Sequence, residues 1–211
     1  MLRSINSFIR TMVISDFFLN YGLGLLGPIF ALFVAQTITA GSTAEAAKIV
    51  GIASLLYWIP KSFLQIPVGR YLDRNHGERD DYWFMISGLL ITTTVPFGYL
   101  FSSLPWHIYF FQFIQGIGMA LALPPWLSLF TKRLDKGNEA FEWATESTFL
   151  GLGAGIGGIV GGTVAALFGF RIVFMGVGLF SLLSVFILLL LRKKVTKDPT
   201  RTILMPVERP R

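Results

Sequence analysis

Four long stretches of this chain contain no Asp, Glu, Lys or Arg: Phe17 to Ala44, Tyr82 to Thr131, Ser147 to Phe170 and Ile172 to Leu191. The second of them is fifty residues long. About 18 or more consecutive apolar residues are enough to cross the hydrocarbon core of a bilayer as a helix. The charge-free stretches therefore read as membrane helices. The whole chain of 211 residues is only 14% charged, with a mean hydropathy of +0.63; an average globular chain carries about 25% charged residues. Intrinsic disorder and a disulfide-stapled secreted scaffold are excluded by that composition. The absence of cysteine excludes thiol catalysis and cysteine-ligated metal centres.

The pattern predicts an all-α polytopic membrane protein with six helices, at about 8–36, 48–70, 82–101, 106–131, 141–168 and 171–191. The fifty-residue gap is too long for one crossing and is broken at Ser102-Ser103-Leu104-Pro105. Proline disfavours helix in the residue before it and fits the first turn of a new one. The bundle is expected over 1–195, with a polar, proline-containing tail over 196–211. A signal peptide has an apolar core of about 7–15 residues; the first apolar run continues well past that, so it reads as a retained helix.

Six crossings put alternate loops on alternate sides. The N-terminus, 70–81, 132–140 and 192–211 hold fifteen of the eighteen Lys and Arg. The opposite loops hold only Lys48 and Arg171, and Lys61 lies within a helix. This asymmetry is the positive-inside pattern and predicts that both termini face the cytoplasm. It also accounts for the net charge of +6 without a nucleic-acid partner.

Between the second and third predicted helices the chain reads Gly69-Arg-Tyr-Leu-Asp73-Arg74-Asn-His-Gly77-Glu-Arg79. This resembles the signature loop of the major facilitator superfamily, Gly-x-x-x-Asp-Arg/Lys-x-Gly-x-Arg/Lys, in the loop where that family carries it. Two residues rather than one separate Arg74 from Gly77. Gln112-Phe-Ile-Gln115-Gly116-Ile-Gly118 is similar to the family's Arg-x-x-Gln-Gly-x-Gly, with Gln112 in the arginine's place. Gly157-Gly158-Ile-Val-Gly161-Gly162 is similar to the antiporter pattern Gly-Pro-x-x-Gly-Gly, with Gly158 in the proline's place. The resemblance covers about residues 8 to 195.

The resemblance implies a bundle of two inverted three-helix repeats and the work of a secondary transporter, which moves a small solute by alternating access. The family's usual chain has two such bundles related by an axis along the membrane normal. Six helices are one bundle, resembling the N-terminal one, so a homodimer is the expected working unit. Gly151, Gly153, Gly155, Gly157, Gly158, Gly161 and Gly162 recur at four-residue steps along the fifth helix, a spacing that lets helix backbones approach closely. They are candidates for the interface; packing inside one bundle is the alternative. By resemblance, the second helix of one copy meets the fifth of the other, with Asp73 near residues 138–142 of its partner.

Ionisable side chains in a bilayer are costly and are functional candidates. Asp16, Lys61 and Glu146 are such residues, with Asp16 and Lys61 placed to pair. Asn20 follows Asp16 by four positions and shares its face. Tyr57, Gln112 and Gln115 add hydrogen-bonding groups. A carboxyl here makes a proton or other cation a candidate coupling ion. His76 and His107 are too far apart to make a metal site, and no cofactor is implied. Gly153-Ala-Gly155-Ile-Gly157-Gly158 fits a dinucleotide fingerprint, but that motif needs a strand before it and here lies inside an apolar span. There is no phosphate loop and no hydrolase motif, so an enzyme or an ATP-driven pump is not expected. The rivals are half of a split transporter with a separately encoded partner, and a non-transporting membrane scaffold or sensor.

Overall fold

A computed structural model describes residues 5–75 and 77–196. The loop histidine His76 and residues 197–211 of the expected tail lie outside the described residues. The described chain is helical: α1 (Ser7–Leu26), α2 (Phe30–Phe33) continued by a π-helical turn (Val34–Ile38), α3 (Thr43–Asn75), α4 (Glu78–Tyr99), α5 (Pro105–Lys132), α6 (Glu139–Phe168), α7 (Phe170–Leu189) and the short α8 (Arg192–Thr196).

Local chemistry sets these boundaries. Asn6 caps α1, its Oδ1 accepting from the N–H groups of Phe8 at 3.0 Å and Ile9 at 2.9 Å. The first apolar run, read as one helix over 8–36, is broken at Gly27-Pro28-Ile29, and its two parts meet at a bend of 40°. Pro28 supplies no N–H to continue the ladder of α1. Pro105 opens α5 after an extended Leu104. Gly169 alone separates α6 from α7 at φ +81°, a left-handed conformation in which a side chain would be strained. Residues 70–75, read as loop, continue α3, and Gly77 in extended geometry leads into α4.

Among the described residues four helices are long and apolar enough to cross a membrane, and five if the bent α1–α2 pair counts as one span. The packing follows a pattern of exchanged partners. Helix α1 lies along α6 and α7, α5 lies along α3 and α4, and α4 meets α7. Contact is close because it runs over small residues. A methyl group on Gly153, Gly157 or Gly161 would run into the carbonyl oxygens of Phe17, Tyr21 or Leu25 on α1. On the other side, one on Gly116 would meet the backbone of Tyr57 and the ring of Pro60. A buried hydroxyl pair, Ser15 and Ser184 at 2.8 Å, ties α1 to α7.

Helices α3 and α6 are the least covered. Only 17% of the apolar stretch of each is buried, against 39% for α5 and 44% for Phe170–Val195. Each packs mainly on one neighbour and leaves its other face open.

Candidate functional site

A cavity of about 300 Å³ opens between α1, α5 and α6, floored by α4 and α7. Its walls are mostly apolar, with Leu19, Leu23, Met119, Leu123, Trp126, Trp143 and Leu150 among them. Five polar side chains enter it: Ser15, Asp16 and Asn20 from α1, Glu146 from α6 and Ser184 from α7. Helical spacing explains the grouping, since Ser15, Asp16, Leu19, Asn20 and Leu23 fall on one side of α1.

Part of the polar set is satisfied within it. Asn20 Nδ2 donates to Asp16 Oδ2 at 3.1 Å and to the Asp16 carbonyl at 2.9 Å. Glu146, 8% exposed, lines the same cavity from α6 and is coupled electrostatically to Asp16. A carboxylate has no proton to donate. Two carboxyls lining one apolar cavity are compatible when they share one proton or hold a cation between them.

The structure thus brings Asp16, Asn20 and Glu146 together and leaves the other candidates outside the cavity lining. Lys61 does not pair with Asp16, as the two depths had suggested. It is buried on α3, with its ammonium 4.4 Å from the Trp58 ring centre and 5.3 Å from that of Tyr57. Those distances suit cation–π attraction, and they occupy Tyr57 as well. Gln112 and Gln115 are half-buried on α5, one to three turns toward the opposite end from the cavity.

The signature residues lie around the junction of α3 and α4. Asp73 and Arg74 are exposed in the last turns of α3, Gly69 is half-buried there, Gly77 precedes α4, and Arg79 is exposed in its first turn. Beside them is a clasp that reasoning from sequence missed. Arg133 makes a two-pronged ion pair with Glu78, its Nε at 3.0 Å from Oε1 and its Nη2 on Oε2. Lys132 Nζ and Ser128 Oγ both reach Asp81 Oδ2 at 2.8 Å. Asn6 Nδ2 donates to the Arg133 carbonyl at 2.8 Å and to Asp135 Oδ1 at 3.1 Å. The legible signal was an acidic first turn on α4 and a basic end on α5, each complementing its helix dipole.

The seven glycines divide into two sets. Gly153, Gly157 and Gly161 face α1 within the chain, while Gly151, Gly155 and Gly162 have nothing within 4 Å of an added Cβ and Gly158 only the Gly24 carbonyl at 4.0 Å. His107 accepts at Nδ1 from the N–H groups of Ser103 at 3.1 Å and Leu104 at 3.2 Å, capping α5.

A sequence model described as Major Facilitator Superfamily matches residues 12–206. The chain belongs to that superfamily. It is a multi-pass membrane protein by that membership and by its apolar helices. Among curated proteins it is similar to the multidrug resistance protein MdtG of Enterobacter lignolyticus strain SCF1, 23% identical over 167 residues. The match covers 79% of this chain and 38% of that relative's length.

Proposed function

We propose that this superfamily member is a six-helix half of a secondary transporter, working as a homodimer that moves a small solute by alternating access. The observation that carries the reading is the Asp16–Asn20–Glu146 cluster in the wall of an open apolar cavity. A bilayer-embedded carboxyl pair without a functional use is a cost with no return. An acidic pair in an apolar surround suits a cationic or proton-donating solute, or a proton exchanged against it. Membership of this family and the multidrug name of the relative favour transport over catalysis, and the acidic pair makes lipophilic cations the first solutes to assay.

The remaining features fit the same reading. The chain crosses the cell membrane six times, α1 with α2 forming the first crossing and α4 the third, and both termini face the cytoplasm. The open faces of α3 and α6 meet the second copy, and Asp73 approaches the partner's α6 N-terminus to close the cytoplasmic side. A second reading rests on the relative's greater length: the other six helices belong to a different polypeptide.

Two measurements test this. In proteoliposomes, Asp16→Asn and Glu146→Gln each abolish or uncouple pH-driven movement of a lipophilic cation; unchanged transport by both variants removes the cluster from the mechanism. Native mass in lipid nanodiscs gives a dimer at twice 23.5 kDa, about 47 kDa. A chain that stays monomeric favours the second reading.

A further inference from the structure

The buried residues of α6 are Glu142, Thr145, Glu146, Gly153, Gly157 and Gly161. Their spacing keeps them on one face of the helix. The glycines of this stripe pack on the α1 backbone; below them the same stripe carries two carboxyls. Glu146 lines the cavity, whereas Glu142 lies one turn nearer the clasp and outside that lining. A carboxylate in the first turn complements the helix dipole equally well from the open face, as the exposed Glu139 does. Glu142 is instead 1% exposed. Its Oε2 accepts from the Asp135 N–H at 3.1 Å, while its Oε1 is buried with no hydrogen-bond partner among the described residues. Leaving a buried acceptor unmade is costly, and the turn it closes needs only one oxygen.

The charged groups that act on Glu142 are acidic: Asp135 from the turn before α6 and Glu139 from its own helix. Arg10, one turn along α1 from Asn6, and Lys136 are exposed. Arg133 pairs with Glu78, and Lys194 is bonded to Ser7. The one charge on α7, Arg171, stands at its opposite end. No ion pair reaches Glu142 among the described residues, so nothing fixes it as the anion of a salt bridge. The levels follow from the bond of Asn6 Nδ2 to Asp135 Oδ1. Asp16 stands ten residues along α1 from Asn6, about 15 Å at a rise of roughly 1.5 Å per residue. Glu142 precedes Glu146 by one turn, about 6 Å on the same rise, and Asp135 is half-buried at the edge. The carboxyls therefore step from the cavity to the end of the bundle.

We infer that Glu142 is a proton relay between the Asp16–Glu146 pair and the aqueous phase at the clasp end of the bundle. The inference rests on the transport reading and assigns its coupling ion and that ion's route. Chains of acidic side chains inside a membrane protein serve this purpose. When a cation displaces the proton of the pair, that proton passes from the Glu146 carboxyl to Glu142 Oε1 across one bridging water. It then leaves Glu142 for water beside Asp135, and reloading runs in reverse. Each hop moves a proton from a carboxylic acid to a carboxylate, so charge is conserved and no further reactant is needed.

Glu142→Gln keeps an acceptor for the Asp135 N–H and removes the exchangeable proton. Proteoliposomes holding the full chain are assayed with ethidium, a lipophilic cation, in two ways. Movement driven by a pH gradient slows by at least about tenfold in the variant. Exchange of labelled for unlabelled ethidium at equal pH stays at the wild-type rate, because it moves no net proton. Glu142→Asp, which keeps a carboxyl, recovers part of the driven rate. A glutamine variant with the wild-type driven rate overturns the relay and leaves the transport reading standing. Loss of exchange together with driven movement in a folded glutamine variant also overturns it and makes Glu142 structural. Should the glutamine variant not assemble, the aspartate variant decides: a slower driven rate with intact exchange supports the relay, and any other pattern overturns it. A wild-type chain that moves ethidium in neither assay overturns the cation reading of the cavity, and the relay with it.

Discussion

Gly157 and Gly155 stand two residues apart on α6, and replacing each by alanine should have opposite effects. The added methyl at 157 meets backbone on α1, namely the Tyr21 carbonyl oxygen and the Leu25 nitrogen, the latter at 3.1 Å. Neither atom can swing aside as a side-chain end would. The two helices must separate, and the loss spreads to Gly153 and Gly161, which share the contact. Overpacking of this kind costs about 1–3 kcal/mol. At 155 the same methyl meets nothing of its own chain within 4 Å, and in the detergent-separated single chain exchanging glycine for alanine inside a helix gains up to about 1 kcal/mol. The variant at 157 shares that helical gain, so the two should differ by the overpacking cost alone, roughly 1–3 kcal/mol. Thermal or denaturing-detergent unfolding, followed by intrinsic tryptophan fluorescence in one lipid–detergent mixture, measures the difference. For a chain of this size each kcal/mol moves the midpoint by about 2–4 °C. Equal midpoints, or a stabilised Gly157→Ala, would refute the assignment of Gly153, Gly157 and Gly161 to the α1 contact.

Other outcomes follow from the same geometry. Arg133→Met leaves Glu78 in a mostly covered site without its two-pronged partner and lowers stability by about 3 kcal/mol; adding Glu78→Gln should recover part of this, as a double-mutant cycle will show. His107→Ala removes the acceptor for two N–H groups at the start of α5 and costs about 1 kcal/mol in unfolding. Ser184→Ala keeps the Ser15 bond to the Ser184 carbonyl and so loses only about 1 kcal/mol, with transport retained. Asp73→Cys and Glu139→Cys placed on separate copies should cross-link between chains; cross-links confined to one chain contradict closure across the dimer.

Much of the helical layout was legible because bilayer physics writes it in one dimension. Charge-free stretches mark apolar helices, and Pro105 marks a break because it lacks an N–H. The break at Gly27-Pro28 carried the same signal and was outweighed by the unbroken apolar run around it. Partner choice was less legible. Asp16 and Lys61 were matched by depth, yet depth says nothing of direction around a helix axis. Lys61 faces its own aromatic neighbours on α3, while Asp16 faces α6 and finds Glu146. The glycines show the same limit: a four-residue step marks a flat stripe, and α6 carries two stripes on different faces. Only the position of α1 decides which stripe is internal. The clasp residues Glu78, Asp81, Lys132 and Arg133 were missed because the sequence shows charges at helix ends but not that the fold brings two such ends together.

The pairing of α1 with α6 also has a consequence for how the chain is made. Asp16 and Glu146 are 130 residues apart. At a synthesis rate of about 5–20 residues per second, the first carboxyl waits roughly 7–26 s before the second exists. During that interval α1 has neither the glycine stripe of α6 nor Ser184 to pack on, and Asp16 has only Asn20 on its own helix. Asn20 is thus a local escort as well as a cavity residue, holding the carboxyl until its distant partner is synthesised. Insertion of this protein is then timed by its last third, and a ribosome stalled shortly after α5 would strand an acidic helix in the membrane.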